Sequence, residues 1–335
     1  MLEMTVMIQR RLLIGIVLLS NSAWADSFLA NTAPHAPPPQ ENTTLSSVGN
    51  QPSAPKVPTD DEIDEIWKGV SSSFAFPFQN WEDRELFDGL SGNVGYHQPL
   101  AETESANIPA GSTQGPTNLN KTLTLSLKYT IAGAWFVSGT VYHYLDSDQQ
   151  QAWNPDFTYV FGYSDWRPYT LSLVYANYGG NRFNPDPGQN RTEFKQGTWS
   201  LGWKFPIKSP FVDLFRFTDD GAIGCQIDYN FTPEYFNLAT TEYKNNHQTL
   251  SLGCKYSIWG NWYVNGTAFY YFDKQQQQPW NPDYTYGFGY FDWRPGTITL
   301  QYNNYSGNRW NSSDRGEGTG RFKDGSITLA YSFAF

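Results

Sequence analysis

Cysteine is nearly absent from this sequence: Cys225 and Cys254 are the only two in 335 residues. Two thiols are too few for a disulfide scaffold or a zinc site. If the chain is exported to an oxidising compartment, they form one candidate disulfide. Histidine is also sparse, with His35, His97, His143 and His247. None of these is accompanied by the positioned nucleophile and carboxylate that a hydrolase needs, so no enzyme is expected and lipid hydrolysis is a minor alternative. Asp148, Asp156 and Asp283 lack calcium-loop spacing, so neither a metal nor a cofactor is expected. Charge is scarce as well: charged residues make up 16% of the chain, with a net charge of −10. An acidic chain of this kind has no footprint for nucleic acid.

An apolar run long enough for a membrane helix, about 20 residues, is also missing. The one short run, Leu12–Leu19, follows Arg10 and Arg11 and precedes Ala23-Trp24-Ala25. A charged head, a short apolar core and a small-x-small site make residues 1–25 a secretory signal peptide. Residues 26–67 carry a net charge of −6, and Pro34, Pro37, Pro38 and Pro39 crowd their first half. That composition predicts a disordered tail. Residues 68–335 form the folded body.

Aromatic residues are abundant, at 17%, although mean hydropathy is −0.55. A chain that is polar on average but rich in Tyr, Trp and Phe suits strands with one face in water and one in an apolar medium. A secreted β-sandwich is the competing class. The alternation is direct. Leu123, Leu125, Leu127 and Tyr129 interleave with Thr124, Ser126 and Lys128, and Leu171, Leu173 and Tyr175 with Ser172 and Val174.

The body repeats itself. Trp153–Pro168 reads WNPDFTYVFGYSDWRP, and 127 residues later WNPDYTYGFGYFDWRP returns. Asn177–Arg182 returns as Asn304–Arg309 at the same offset. The units span about 74–205 and 203–335. Strands are expected near 92–99, 121–131, 134–145, 157–165, 168–178, 196–205, 222–231, 248–258, 261–272, 284–292, 295–304 and 325–335. Twelve is an even number that closes antiparallel, giving an all-β antiparallel barrel of two six-strand halves. Residues 71–76 resemble the end of a terminal strand, but a thirteenth strand would have to pair in parallel, so a periplasmic or plug role is expected for them.

The chain ends in Tyr331-Ser332-Phe333-Ala334-Phe335, which resembles the C-terminal signature of Gram-negative outer-membrane β-barrels. The resemblance covers 92–335 and implies recognition of Phe335 by the barrel-assembly machinery and a body surrounded by outer-membrane lipids. The N-terminal tail then lies in the periplasm. Short turns at Gly133, Asp165–Pro168, Gly260 and Asp292–Pro295 fall on the periplasmic side. Long connections at 179–195, 232–247, 273–283 and 305–324 fall outside.

Candidate solute contacts sit at the outer rim. Trp153, Asn154 and Asp156 recur as Trp280, Asn281 and Asp283; Asn-Pro-Asp is turn chemistry, so the first reading is a rim turn capped by a girdle Trp, and the second is an aromatic platform with amides that suits a saccharide. Arg182 and Arg309 are placed to line a pore mouth or to pair with a nearby Asp. Lys128, Lys255 and Gln301 fall on the inward parity with many hydroxyls, a lining of little charge that suits neutral polar solutes. Cys225 and Cys254 fall on the lipid face of adjacent strands. The expected role is passive passage or binding of small polar solutes. The alternative is a non-conducting adhesin, structural or envelope-docking barrel.

Overall fold

The computed structural model describes residues 89–100, 121–146, 154–165, 167–178, 181–184, 193–207, 222–237, 240, 242–278, 281–292, 294–304, 308–310 and 321–334. The expected signal peptide and tail, residues 71–76, residues 208–221, Trp153, Trp280 and Phe335 lie outside them. Twelve strands are present among the described residues. They are β1 (Leu90–Pro99), β2 (Thr122–Ala132), β3 (Trp135–Tyr144), β4 (Phe157–Ser164), β5 (Leu171–Asn177), β6 (Thr198–Ile207), β7 (Ala222–Asn237), β8 (Glu242–Trp259), β9 (Trp262–Tyr271), β10 (Tyr284–Tyr290), β11 (Ile298–Asn304) and β12 (Ser326–Ala334). Each pairs antiparallel with its sequence neighbours. β1 then pairs with β12, from Ser91 opposite Ala334 to Pro99 opposite Ser326, and the barrel is closed.

Closure sorts the side chains by parity. Leu125, Val141, Leu201, Leu252, Leu300 and Leu329 point outward and stay 42–50% exposed. Thr122, Ser172, Asp228, Ser251 and Thr299 point inward and are 2–4% exposed. A belt of exposed aliphatic side chains around a whole circumference exceeds what water tolerates on a monomer and calls for lipid. Twelve strands enclose a wider interior than the side-chain-filled eight-stranded barrels.

Two expected boundaries move. β5 and β11 begin at Leu171 and Ile298, later than expected, because a turn occupies the preceding residues. Tyr169 and Gly296 take positive φ there, at 62° and 81°. The Thr170 hydroxyl donates to the Arg167 carbonyl at 2.7 Å, and that of Thr297 to the Arg294 carbonyl at 2.6 Å. Thr297, which strand parity alone would place on the inner wall, is a turn residue. The Asp-x-Arg motifs clamp the same turns. Arg167 donates from its amide and Nε to Asp165, both at 2.9 Å, and Arg294 donates from Nε to Asp292 at 2.9 Å.

The other correction is larger. Within residues 232–247, expected as a loop, 232–237 and 242–247 extend β7 and β8 as a projecting hairpin, with Glu234 opposite Asn245 and Asn237 opposite Glu242. Pro233 and the polar run before His247 hide the strands from a hydropathy reading. Pro233 falls where no ladder pair is formed, and Asn246 nearby takes φ 66°. Pairing needs only backbone groups, so it continues beyond the lipid. Lys195 Nζ lies 2.9 Å from Glu234, Gln196 Nε2 donates to Glu234 at 3.1 Å, and Phe236 packs edge-on to Tyr243 at 5.4 Å. Lower on the same pair, Cys225 faces Cys254 with Cα atoms 4.1 Å apart, and the sulfurs are joined as a disulfide. Ile227 and Leu252 share their outward face.

Leu252→Arg is expected to cost about 2–4 kcal/mol of barrel stability in phospholipid, read from denaturant titrations of refolded protein. An unchanged midpoint would mean that this face does not meet lipid. The turns carry a pH signature. The Arg294 side-chain hydrogen bond holds the Asp292 carboxyl below its ordinary 3.8. A depressed carboxylate stabilises the fold above its unfolded value, and that stability is lost as pH falls through the lower, folded value. Protection of the Arg294 amide against hydrogen exchange should therefore persist through the ordinary carboxylate range and fall only below 3.8. In Asp292→Asn the acid dependence should disappear.

Candidate functional site

The interior is built mostly from the small and polar half of the strands' alternation, with an apolar cluster of Phe136, Val160, Val174 and Ala176 on β3–β5. Cross-strand hydroxyls and amides bond around the wall: Ser126 with Thr140 at 2.9 Å, Thr198 with Thr232 at 2.7 Å, Ser200 to Asn230 at 2.7 Å and Asn230 to Ser251 at 3.2 Å. These bonds hold short side chains against the wall. Gln301, on β11, is also inward and 6% exposed. Asn265 Oδ1, on β9 opposite Lys255, is buried without a hydrogen-bond partner among the described residues.

Lysines punctuate this lining. Lys128 Nζ stands 4.6 Å over the Phe136 ring. Lys255 Nζ stands 4.5 Å over Tyr263 and 5.0 Å over Phe291. Two charged residues join them that the alternation alone would have revealed. Trp203 and Phe205 outward put Lys204 inward, and its Nζ donates to Ser164 Oγ at 3.1 Å and the Asp165 carbonyl at 2.6 Å. Ile227 and Tyr229 outward put Asp228 inward, where it accepts from Gln226 Nε2 at 2.5 Å.

The rim residues are brought together, but largely with one another. Arg182 Nη1 donates to Asp156 at 2.9 Å, and the Phe183 amide takes the other Asp156 oxygen at 3.0 Å. The same arrangement recurs with Arg309 and Asp283 at 3.3 Å and the Trp310 amide at 2.9 Å. Arg309 also donates to the Gln278 carbonyl at 3.0 Å. Asn154 and Asn281 are both 4% exposed, which keeps their amides from presenting an open saccharide platform.

Behind them lies a network that residue type alone did not flag. Tyr175 donates to the Phe194 carbonyl at 2.7 Å and stacks on that ring at 4.3 Å. Asn177 donates to the Tyr175 hydroxyl at 3.2 Å, and Asn181 to Asn177 at 3.0 Å. Tyr302, Phe322, Asn304 and Asn308 repeat every one of these contacts. Gly197 and Gly325 are required there, because a Cβ would collide with the tyrosine hydroxyl. The signal was present as Asn repeated four residues apart in both copies.

His97 Nδ1 lies 3.2 Å from Thr328 Oγ1. His247 lies between the rings of Tyr235 and Tyr271, at 5.1 and 6.0 Å. Among the described residues no group of three His, Cys, Asp or Glu side chains is gathered for a metal.

No family model and no curated protein matches the chain. Solved structures do resemble it. A NanC porin is 10% identical, with 73% of this chain and 99% of that one covered and a TM-score of 0.38. An outer-membrane channel from Pseudomonas putida F1 is 10% identical, with 77% and 99% covered and a TM-score of 0.34. A mutant of the Rh. blastica porin is 12% identical, with 73% and 74% covered and a TM-score of 0.25. Likeness at this level transfers no residue role. The chain's own geometry, a closed barrel of even strand number that is apolar outside and polar within, is that of an outer-membrane β-barrel protein.

Proposed function

We propose that this barrel is a non-enzymatic outer-membrane channel for small polar solutes, saccharides among them. The observation that carries the reading is the inward wall. Hydroxyls, amides and lysines occupy inward positions on most strands, interrupted on β3–β5 by an apolar cluster of Phe136, Val160, Val174 and Ala176, while the outward positions are aliphatic and aromatic. Such a wall replaces the hydrogen bonds of a hydrated solute. The periplasmic tail and the contact of Phe335 with the assembly machinery belong to the same proposal. One feature favours a second reading, as a docking barrel: the β7–β8 hairpin rises beyond the wall, giving a partner something to grip.

Purified, refolded protein in planar bilayers should show stepwise conductance. Its absence, with the barrel intact by circular dichroism and heat-modifiable migration, overturns the channel reading and leaves docking. The rim pairs serve to hold the outer loops. Arg182→Ala or Arg309→Ala should lower stability by about 1.5–3 kcal/mol, the range for a hydrogen bond to a charged group, and leave single-channel conductance unchanged. Loss of block by an added neutral sugar in those variants would restore the rim as a solute site.

A further inference from the structure

We propose that the lumen selects small anions, inorganic and carboxylate alike, and that Lys128 and Lys255 set this preference. The inference rests on the channel reading and deepens it. The chain as a whole carries a net charge of −10, yet its interior has the opposite sign. Excluding the projecting part of the β7–β8 hairpin, the inward-facing charges of the wall among the described residues are Lys128, Lys204, Lys255 and Asp228. Three ammonium groups face one carboxylate.

Their placement matters as much as their number. Lys128 is on β2 and Lys255 on β8, which stand half the ring apart in a barrel of twelve strands. Lys128 pairs with Ser138 on β3, and Lys255 with Asn265 on β9, each three positions from the residue that starts its strand. The two lysines therefore sit at matching depth on opposite walls. Each ammonium lies over an aromatic ring, 4.6 Å above Phe136 and 4.5 Å above Tyr263. A ring face holds the cation near the wall without neutralising it, as a carboxylate would.

The single acid is off to one side. Asp228 is on β7, beside Lys204 on β6 and Lys255 on β8, so its field falls chiefly on that wall. Lys204, fastened to Ser164 and the Asp165 carbonyl, adds charge at the periplasmic end. A lumen wall of one prevailing sign inside an apolar shell concentrates counter-ions. At about 0.15 M salt, charges remain effective over about 8 Å. Rings of Lys or Arg are the usual device of anion pores.

The test is the zero-current potential of the full-length barrel in a planar bilayer under a KCl gradient, repeated with potassium acetate. Wild type should show an anion-permeable sign in both salts. Lys128→Gln/Lys255→Gln should keep stepwise conductance while its anion-to-cation permeability ratio falls severalfold, on the order of threefold or more. Lys128→Arg should retain the wild-type ratio. A cation-selective or unselective wild-type channel overturns the inference and leaves the channel reading standing. So does a double variant that folds, conducts and keeps the wild-type ratio. If the double variant does not fold, the wild-type sign alone decides. Chloride permeation without acetate permeation refutes the carboxylate part. No conductance in either salt overturns the channel reading and this inference with it.

Discussion

The pairing of β1 with β12 is the constraint on which the rest depends. Lipid offers no hydrogen bonds, so a sheet crossing it must have no free edge, and the ring is completed by residues more than 200 positions apart in sequence. Once the ring is closed, every strand has two sides that can no longer be exchanged. A one-residue slip would turn Leu123, Leu125 and Leu127 inward and Thr124, Ser126 and Lys128 into lipid. The polar lining, the aliphatic belt and the lysines over their rings all follow from this register.

Within the ring, residues one repeat apart make the same bonds. Tyr175 and Tyr302, Asn181 and Asn308, Asp165 and Asp292, and Lys128 and Lys255 hold equivalent partners at nearly equal distances. The departures are informative. Lys204 stands where β12 has Ser332, and Asp228 where β1 has Gly95. The disulfide and the long hairpin belong to β7 and β8 alone among the described pairs. The shared contacts are turns and rims, which any barrel of this pattern needs. The unshared ones change the charge and reach of one wall.

The rim shows how residue type can mislead about chemistry. Asn, Asp and Arg beside tryptophan have the composition of a saccharide platform, and the same groups satisfy buried loop backbone. Asp156 and Asp283 each accept both an arginine and a main-chain amide. A carboxylate held by two donors from its own loop is a structural element first. Nothing in the motif's spacing distinguishes the two uses, because the arginine lies 26 residues away and meets the carboxylate only when the loops fold together.

The strands, their number and their inward and outward faces were legible in the sequence, because a period of two is a local signal. Lys204 and Asp228 were legible in the same way, by parity with Trp203 and Ile227. The projecting hairpin was not, because backbone pairing beyond the lipid leaves no hydropathy trace. Neither was the choice each rim arginine makes between lining the mouth and pairing with a rim aspartate. These depend on how the closed ring brings distant strands and loops into register, which only the tertiary structure decides.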